Sequence, residues 1–101
     1  MKLVLVTAVE EFQKDVLKIF KTANIENFSS SDIDGYKNVP SLLLASNWFS
    51  AEKEGNKSIM FFSFTNKEKI DDLFNLLEEF NLHVETNNPI KAIVIPIEKY
   101  L

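Results

Sequence analysis

Two stretches of the chain change from a short apolar run to apolar residues at helical spacing. The apolar runs cover residues 2–6 and 57–64, and the second of them is rich in aromatic side chains. Short runs of β-branched and aromatic residues favour buried strands. The spacing after each run places the apolar side chains on one helix face. These residues are Phe12, Val16, Ile19, Phe20 and Ala23 in the first unit, and Ile70, Leu73, Phe74, Leu77 and Phe80 in the second. We predict helices over residues 8–23, ended by Asn24, and 66–80.

A capping sequence lies between strand and helix in both units. Thr7 is followed three residues later by Glu10, and Thr65 is followed at the same spacing by Glu68. In a capping box the threonine hydroxyl accepts a hydrogen bond from the amide three residues on, and the glutamate reaches back to the threonine amide. We therefore predict that the two helices begin directly after Thr7 and Thr65.

Two further strands complete the order of elements. Residues 25–37 give a weaker strand prediction with a polar face, and residues 90–97 give a β-branched strand in which Pro96 indicates an edge position or the end of the strand. The resulting order βαββαβ is typical of a ferredoxin-like α+β fold, an antiparallel sheet with two helices on one face. Another two-layer α+β domain with the same order of elements is the alternative. Residues 2–6 are apolar on both faces and should form a central strand.

Length and composition narrow the class of protein. A chain of 101 residues fits one domain, here residues 1–101. There is no cysteine, which excludes disulfides, thiolate nucleophiles and cysteine-based metal sites. The apolar run after Met1 is too short for a signal peptide or a membrane span, so we expect a cytoplasmic protein without membrane insertion.

The charge pattern bears on nucleic-acid binding. The net charge is −4, and all 11 basic residues are lysines. Without arginine the chain has no bidentate donor for phosphate or guanine. The lysines form no stripe along the sequence, so we do not expect nucleic acid as a partner.

Few residues are suited to catalysis. The single histidine, His83, has Glu85 two residues on, which would share its face of a strand and supply two metal ligands at most. A surface histidine is the simpler interpretation. Asp32 and Asp34 also share a strand face. They are either paired carboxylates or part of a solvated strand face. No glycine-rich phosphate loop and no nucleophile–base pair is present, so we predict a protein that is not an enzyme.

A long connection separates the second and third predicted strands. Residues 38–56 exceed the usual length of a loop in a compact domain, and such loops are often functional or disordered. The segment is partly apolar, which marks candidate partner-binding residues. These are Leu42, Leu43, Leu44, Trp48 and Phe49. Either they fold back over their own domain, or they cover a partner surface or a ligand.

The order of elements, together with the segment Ile33-Asp34-Gly35-Tyr36-Lys37, resembles the PII-like signalling proteins. In that family the second strand ends in a hydrophobic–Lys–Gly–Phe–Gly segment, and a long loop follows it. The resemblance covers the whole chain in outline. It implies a homotrimer whose sheets pack around a three-fold axis, and a regulator that binds a small effector, usually a nucleotide, in clefts between subunits. The 38–56 loop would then dock on a target such as a membrane transporter or an enzyme.

The resemblance also implies where the effector would bind. One side of the cleft would be formed at the end of the second strand and the other by the turn before the fourth, with lysines near an anionic effector. The ligand-binding residues implied are Gly35, Tyr36, Lys37, Lys57, Asn87, Asn88 and Lys91. Residues 87–91 lack the glycines of ATP-binding members. We therefore expect a different small anionic effector, or none.

Two other functions stay open. The protein could be a non-catalytic structural interaction module without an effector. It could also be a metal-responsive protein similar to the copper-tolerance CutA proteins, which share the trimeric scaffold. Such a protein would use His83 and Glu85 across the trimer, although the absence of cysteine does not favour copper binding.

Overall fold

A computed structural model describes residues 1–35 and 56–101 of the chain. It contains four strands and two helices, and a single 3-10 turn precedes the first helix. The elements are β1 (Lys2–Val9), the 3-10 turn (Glu10–Phe12), α1 (Gln13–Thr22), β2 (Ser29–Gly35), β3 (Asn56–Thr65), α2 (Lys67–His83) and β4 (Lys91–Pro96).

The strands form one antiparallel sheet in the order β2-β3-β1-β4. This order, with a helix following β1 and another following β3, is that of a ferredoxin-like α+β fold, as predicted. The central position of β1 and the edge position of β4 are also confirmed. No helix in the described part of the chain is long and apolar enough to cross a membrane.

The core lies between the two helices and one face of the sheet. The strands contribute Val4, Val6 and Phe61, all without solvent exposure, and the helices cover them with apolar residues at the predicted spacing. Phe20 of α1 lies at the centre, with its ring 4.8 Å from that of Phe28 and 5.7 Å from that of Phe61. The first pair is edge-on and the second is tilted, and close aromatic pairs of this kind add to the stabilisation from buried area.

The first strand is longer than predicted, and Thr7 does not cap a helix. β1 continues to Val9, so that Thr7 pairs with Met60 of β3 and with Lys91 of β4. The helical segment begins with Val9 as its N-cap and without a side-chain hydrogen bond. A central strand is bonded to neighbours on both sides, whereas a cap satisfies one amide, and this explains why pairing takes precedence at Thr7.

The second cap is displaced by one residue. Thr65 is the last residue of β3 and pairs with Lys2, so it does not cap α2. Asn66 does so instead, since its side-chain oxygen accepts a hydrogen bond of 3.0 Å from the amide of Lys69. Asparagine is among the strongest N-cap residues.

Asn24 ends the first helical segment, as predicted. Its backbone lies in the left-handed region with φ of 61°, which asparagine tolerates well. The amide of Ile25 bonds to the carbonyl of Phe20, and the amide of Asn24 bonds to the carbonyl of Lys21, both at 3.0 Å. This is the Schellman arrangement, and it directs Ile25 into the core. The chain then runs to Ser29 before β2 begins, later than predicted.

Candidate functional site

The face of the sheet opposite the helices is apolar. Strand residues alternate between the two faces, and register places Leu3 of β1 between Phe64 of β3 and Ile95 of β4. No helix in residues 1–35 and 56–101 covers this side. The open face is defined here by its large apolar residues. They are Leu3, Leu5, Ile33, Met60, Phe62, Phe64, Ile93 and Ile95.

Three of these side chains are exposed and the others are partly buried. Phe64 is 56% exposed and Ile95 is 39% exposed, although the strands that carry them pair throughout with β1. The rings of Phe62 and Phe64 meet edge-on with centroids 6.4 Å apart. Apolar surface of this kind is stabilised when a second surface removes it from water. The open face is therefore a candidate interface.

The two predicted halves of the effector cleft lie at the same end of the sheet but not together. Gly35 ends β2 and lies opposite Asn56, whereas Lys91 begins β4 and lies opposite Thr7. β3 and β1 lie between them, which gives a separation across the sheet of about 14 Å at the usual strand spacing. They also differ in level along β3, because Gly35 lies at Asn56 and Lys91 at Met60. Lys57 falls on the helix-covered side and Lys91 on the side of the open face. One copy of the described chain does not bring the two halves into contact.

The Gly35 half is acidic. A depression of about 170 Å³ is lined by Glu10, Asp32, Asp34 and Lys57, three carboxylates for one ammonium group, together with Ile33 and Ser58. Asp32 and Asp34 share a strand face, as the sequence indicates, and both are exposed. Small-molecule sites are usually about 300–1,000 Å³. The described residues here thus offer an anionic effector neither an enclosed site nor a surplus of positive charge.

The other half is a turn with a defined internal structure. Asn87 is exposed, and the amide of Asn88 donates to the hydroxyl oxygen of Thr86 at 3.0 Å. The turn is closed by Asn81 of α2, whose side-chain amide forms two hydrogen bonds of 2.9 Å with the backbone of Ile90. Sequence reasoning did not identify Asn81. Its only signal is a polar side chain beside the apolar stripe of a helix.

The interpretation of His83 and Glu85 as one strand face is wrong. α2 continues three residues beyond the predicted end, so His83 lies in its last turn and Glu85 lies past it. The Nδ1 atom of His83 is 2.8 Å from the carbonyl oxygen of Glu79 and is therefore engaged with the helix. Within the described ranges no group of three or more His, Asp or Glu side chains is placed to hold a metal ion.

The other predicted site residues lie outside the described residues. They are Tyr36 and Lys37 of the cleft, and Leu42, Leu43, Leu44, Trp48 and Phe49 of the partner-binding segment.

Comparison with solved structures agrees with the fold. The chain is similar to the crystal structure, at 2.40 Å resolution, of a DUF3240 family protein from Shewanella baltica OS155. The likeness has a TM-score of 0.67 and covers 98% of this chain and 91% of that one, with 15% sequence identity. At this identity the likeness shows the fold alone. Comparisons with protein-family models and with curated proteins found no match.

Proposed function

We propose that the protein is a cytoplasmic, homotrimeric regulator of the PII-like kind. It binds a small effector at clefts between subunits and acts on a partner such as a membrane transporter or an enzyme. The observation that carries the proposal is the open face on a ferredoxin-like sheet. The resemblance of residues 33–37 and of the element order to PII-like proteins supports the same function.

The composition of the open face supports contact with further copies of the chain. Most of its apolar residues come from three adjacent strands, β4, β1 and β3, whereas β2 contributes Ser29, Ser31 and Ile33 on this side. Among the described strand positions of this face, Lys91 is the one charged residue. A face with so little charge has a small desolvation penalty, and each Å² of apolar area removed from water contributes about 25 cal/mol.

The separation of the two cleft halves supports a site between subunits. Gly35 and Lys91 are on different strands of one copy, with β3 and β1 between them. Lys91 lies on the open-face side of the sheet, so packing of these faces would place it close to a neighbouring copy. There it would meet the sheet end of that copy and add positive charge to the Gly35 half, in which three carboxylates outnumber the one ammonium group of Lys57.

The first experiment is the solution mass by light scattering. A trimer of the 11.6 kDa chain is expected. Ile95→Lys should reduce the mass, because it places a charge in the proposed interface. Leu17→Lys is the matched control, since Leu17 is 38% exposed, close to the 39% of Ile95, but lies on α1. A monomeric wild type would contradict the proposed assembly, and so would an equal decrease in mass for both variants.

The effector is tested on the same preparation. Adenine nucleotides, cyclic dinucleotides and bicarbonate are titrated separately, and Lys91→Gln is compared with Lys99→Gln, which neutralises a lysine in the exposed C-terminal tail. The proposal expects binding of at least one compound, weakened by Lys91→Gln and not by Lys99→Gln. The absence of binding to a trimeric protein would contradict the effector part of the proposal.

A second candidate is a structural interaction module without an effector. The small, acidic depression beside Gly35 favours it, because the described residues form no enclosed site for an anion there. This candidate expects a stable assembly that binds none of the compounds. The regulator and the module are therefore distinguished by the titrations and not by the mass.

A further inference from the structure

The turn before β4 is attached to α2 through one side chain. Asn81 lies in the last turn of α2 and is half-buried. Its Nδ2 atom donates to the carbonyl oxygen of Ile90, and its Oδ1 atom accepts from the amide of Ile90, both at 2.9 Å. Two bonds to both backbone groups of one residue reproduce the pairing of an antiparallel strand. The side chain of Asn81 thus acts as a strand partner for Ile90.

This pairing holds the residue that directly precedes β4. The ladder between β1 and β4 ends at Thr7 and Lys91, so Ile90 lies one residue beyond it. The side chain of Ile90 is 4% exposed and belongs to the core. Its buried backbone groups need partners, and Asn81 provides both of them. The position of Lys91 follows from that of Ile90.

The side-chain chemistry required here is specific to asparagine. The site needs one donor and one acceptor held in a plane at a fixed distance from the helix. Ionised aspartate keeps the acceptor but turns an oxygen toward the carbonyl of Ile90. Leucine has a similar size and offers neither group. Asparagine is not a strong helix former, so its presence within α2 is consistent with a role for its side chain.

We infer that Asn81 is the positioning residue of the effector turn: it closes residues 82–89 into a loop and holds Asn88 and Lys91 in their binding arrangement. The inference rests on the proposed function, because it assigns that turn to the effector cleft. The closed loop presents exposed polar groups at its tip, including Glu85 and Asn87. Without the two Asn81–Ile90 hydrogen bonds, these groups would be joined to α2 and β4 by the chain but no longer held in place by the side chain of Asn81.

The test is amide hydrogen exchange on Asn81→Leu and Asn81→Asp in the full chain. We expect the Ile90 amide to exchange about tenfold faster in Asn81→Leu. Its acceptor is lost in this variant, and loss of one buried hydrogen bond raises the population of the locally open state by about this factor. Asn81→Asp should give a smaller increase, since its carboxylate still accepts from that amide. Asn75→Leu is the control, because Asn75 is an exposed asparagine of the same helix. Unchanged exchange at Ile90 in Asn81→Leu would overturn the inference.

Binding separates positioning from general stability. For a compound that the wild type binds, Asn81→Leu should weaken affinity about tenfold while the mass stays that of the wild type and Asn75→Leu binds normally. Faster exchange with unchanged affinity would overturn the assignment of Asn81 to the effector site. If the wild type binds nothing in the panel, the proposed effector fails, and the assignment to an effector turn falls with it, whatever the exchange at Ile90.

Discussion

The N-cap of α2 provides a test in which the sequence pattern and the structure disagree. Asn66→Ala removes the 3.0 Å hydrogen bond between the Asn66 side chain and the amide of Lys69. Asn66 is exposed, so no cavity forms, and the buried stripe of α2 keeps the helix in place. The expected loss is therefore that of the cap alone, about 1 kcal/mol within a usual range of about 0.5–2 kcal/mol. In a domain of this size it should lower the melting temperature by about 4–8 °C.

The matched variant is Thr65→Val, which removes the hydroxyl proposed as the cap on sequence grounds and keeps the β-branched shape that suits the end of β3. Because Thr65 is paired with Lys2 and does not cap the helix, the free energy of unfolding should change by less than about 0.5 kcal/mol. Both variants are measured by urea denaturation at one protein concentration, since association would shift the apparent stability. An equal or larger loss for Thr65→Val than for Asn66→Ala would refute the reasoning.

Three further predictions concern the core, a buried hydroxyl and an exposed ion pair. Phe20 has no solvent exposure and packs against two other rings, so Phe20→Ala should lower the free energy of unfolding by about 3–5 kcal/mol in urea denaturation. A loss below about 1.5 kcal/mol would contradict the central position of this ring. Ser63 donates to the carbonyl oxygen of Asn27 at 2.6 Å. Ser63→Ala should lower the free energy of unfolding by about 1 kcal/mol in the same assay, and an unchanged free energy would contradict this hydrogen bond. The hydrogen bond and charge of Asp71, 2.9 Å away, raise the pKa of Lys67 above its usual 10.5. Because this pKa is raised, the pair's contribution is present below pH 10.5 and disappears as pH rises through the raised value. Asp71→Asn should return the pKa of Lys67 toward its usual value in an NMR titration, and an unchanged pKa would contradict the pairing.

The beginnings of the two helices show where sequence reasoning is limited. The sequences at Thr7 and Thr65 both match the capping-box pattern. Neither threonine caps a helix, because both lie in strands. A capping box describes four consecutive residues, whereas a strand end depends on a partner far along the chain. Thr7 pairs with Met60, 53 positions later, and no window around Thr7 contains this information. The helical stripes, which depend on spacing alone, were identified correctly.

The candidate site was predictable to a smaller extent. Gly35 and Lys91 were assigned to one cleft through a resemblance, and both lie at one end of the sheet. Their separation by two strands follows from the strand order, which the sequence does not state. Asn81 was missed because its role depends on the carbonyl and amide of Ile90, which reach it only after α2 and β4 have packed.

For residues 1–35 and 56–101, the sequence by itself determined the number, type and order of the elements and the apolar face of each helix, because spacing of side chains is a property of neighbouring residues. It also determined the ferredoxin-like class, since few arrangements bury the apolar faces of a βαββαβ chain. Only the tertiary structure decided the strand register, and with it which apolar residues became core and which became the open face. Val6 and Leu5 are adjacent and equally apolar, but the pleat directs Val6 under the helices and Leu5 to the other side. Pairing between distant strands sets that choice, and with it the surface on which the proposed function rests.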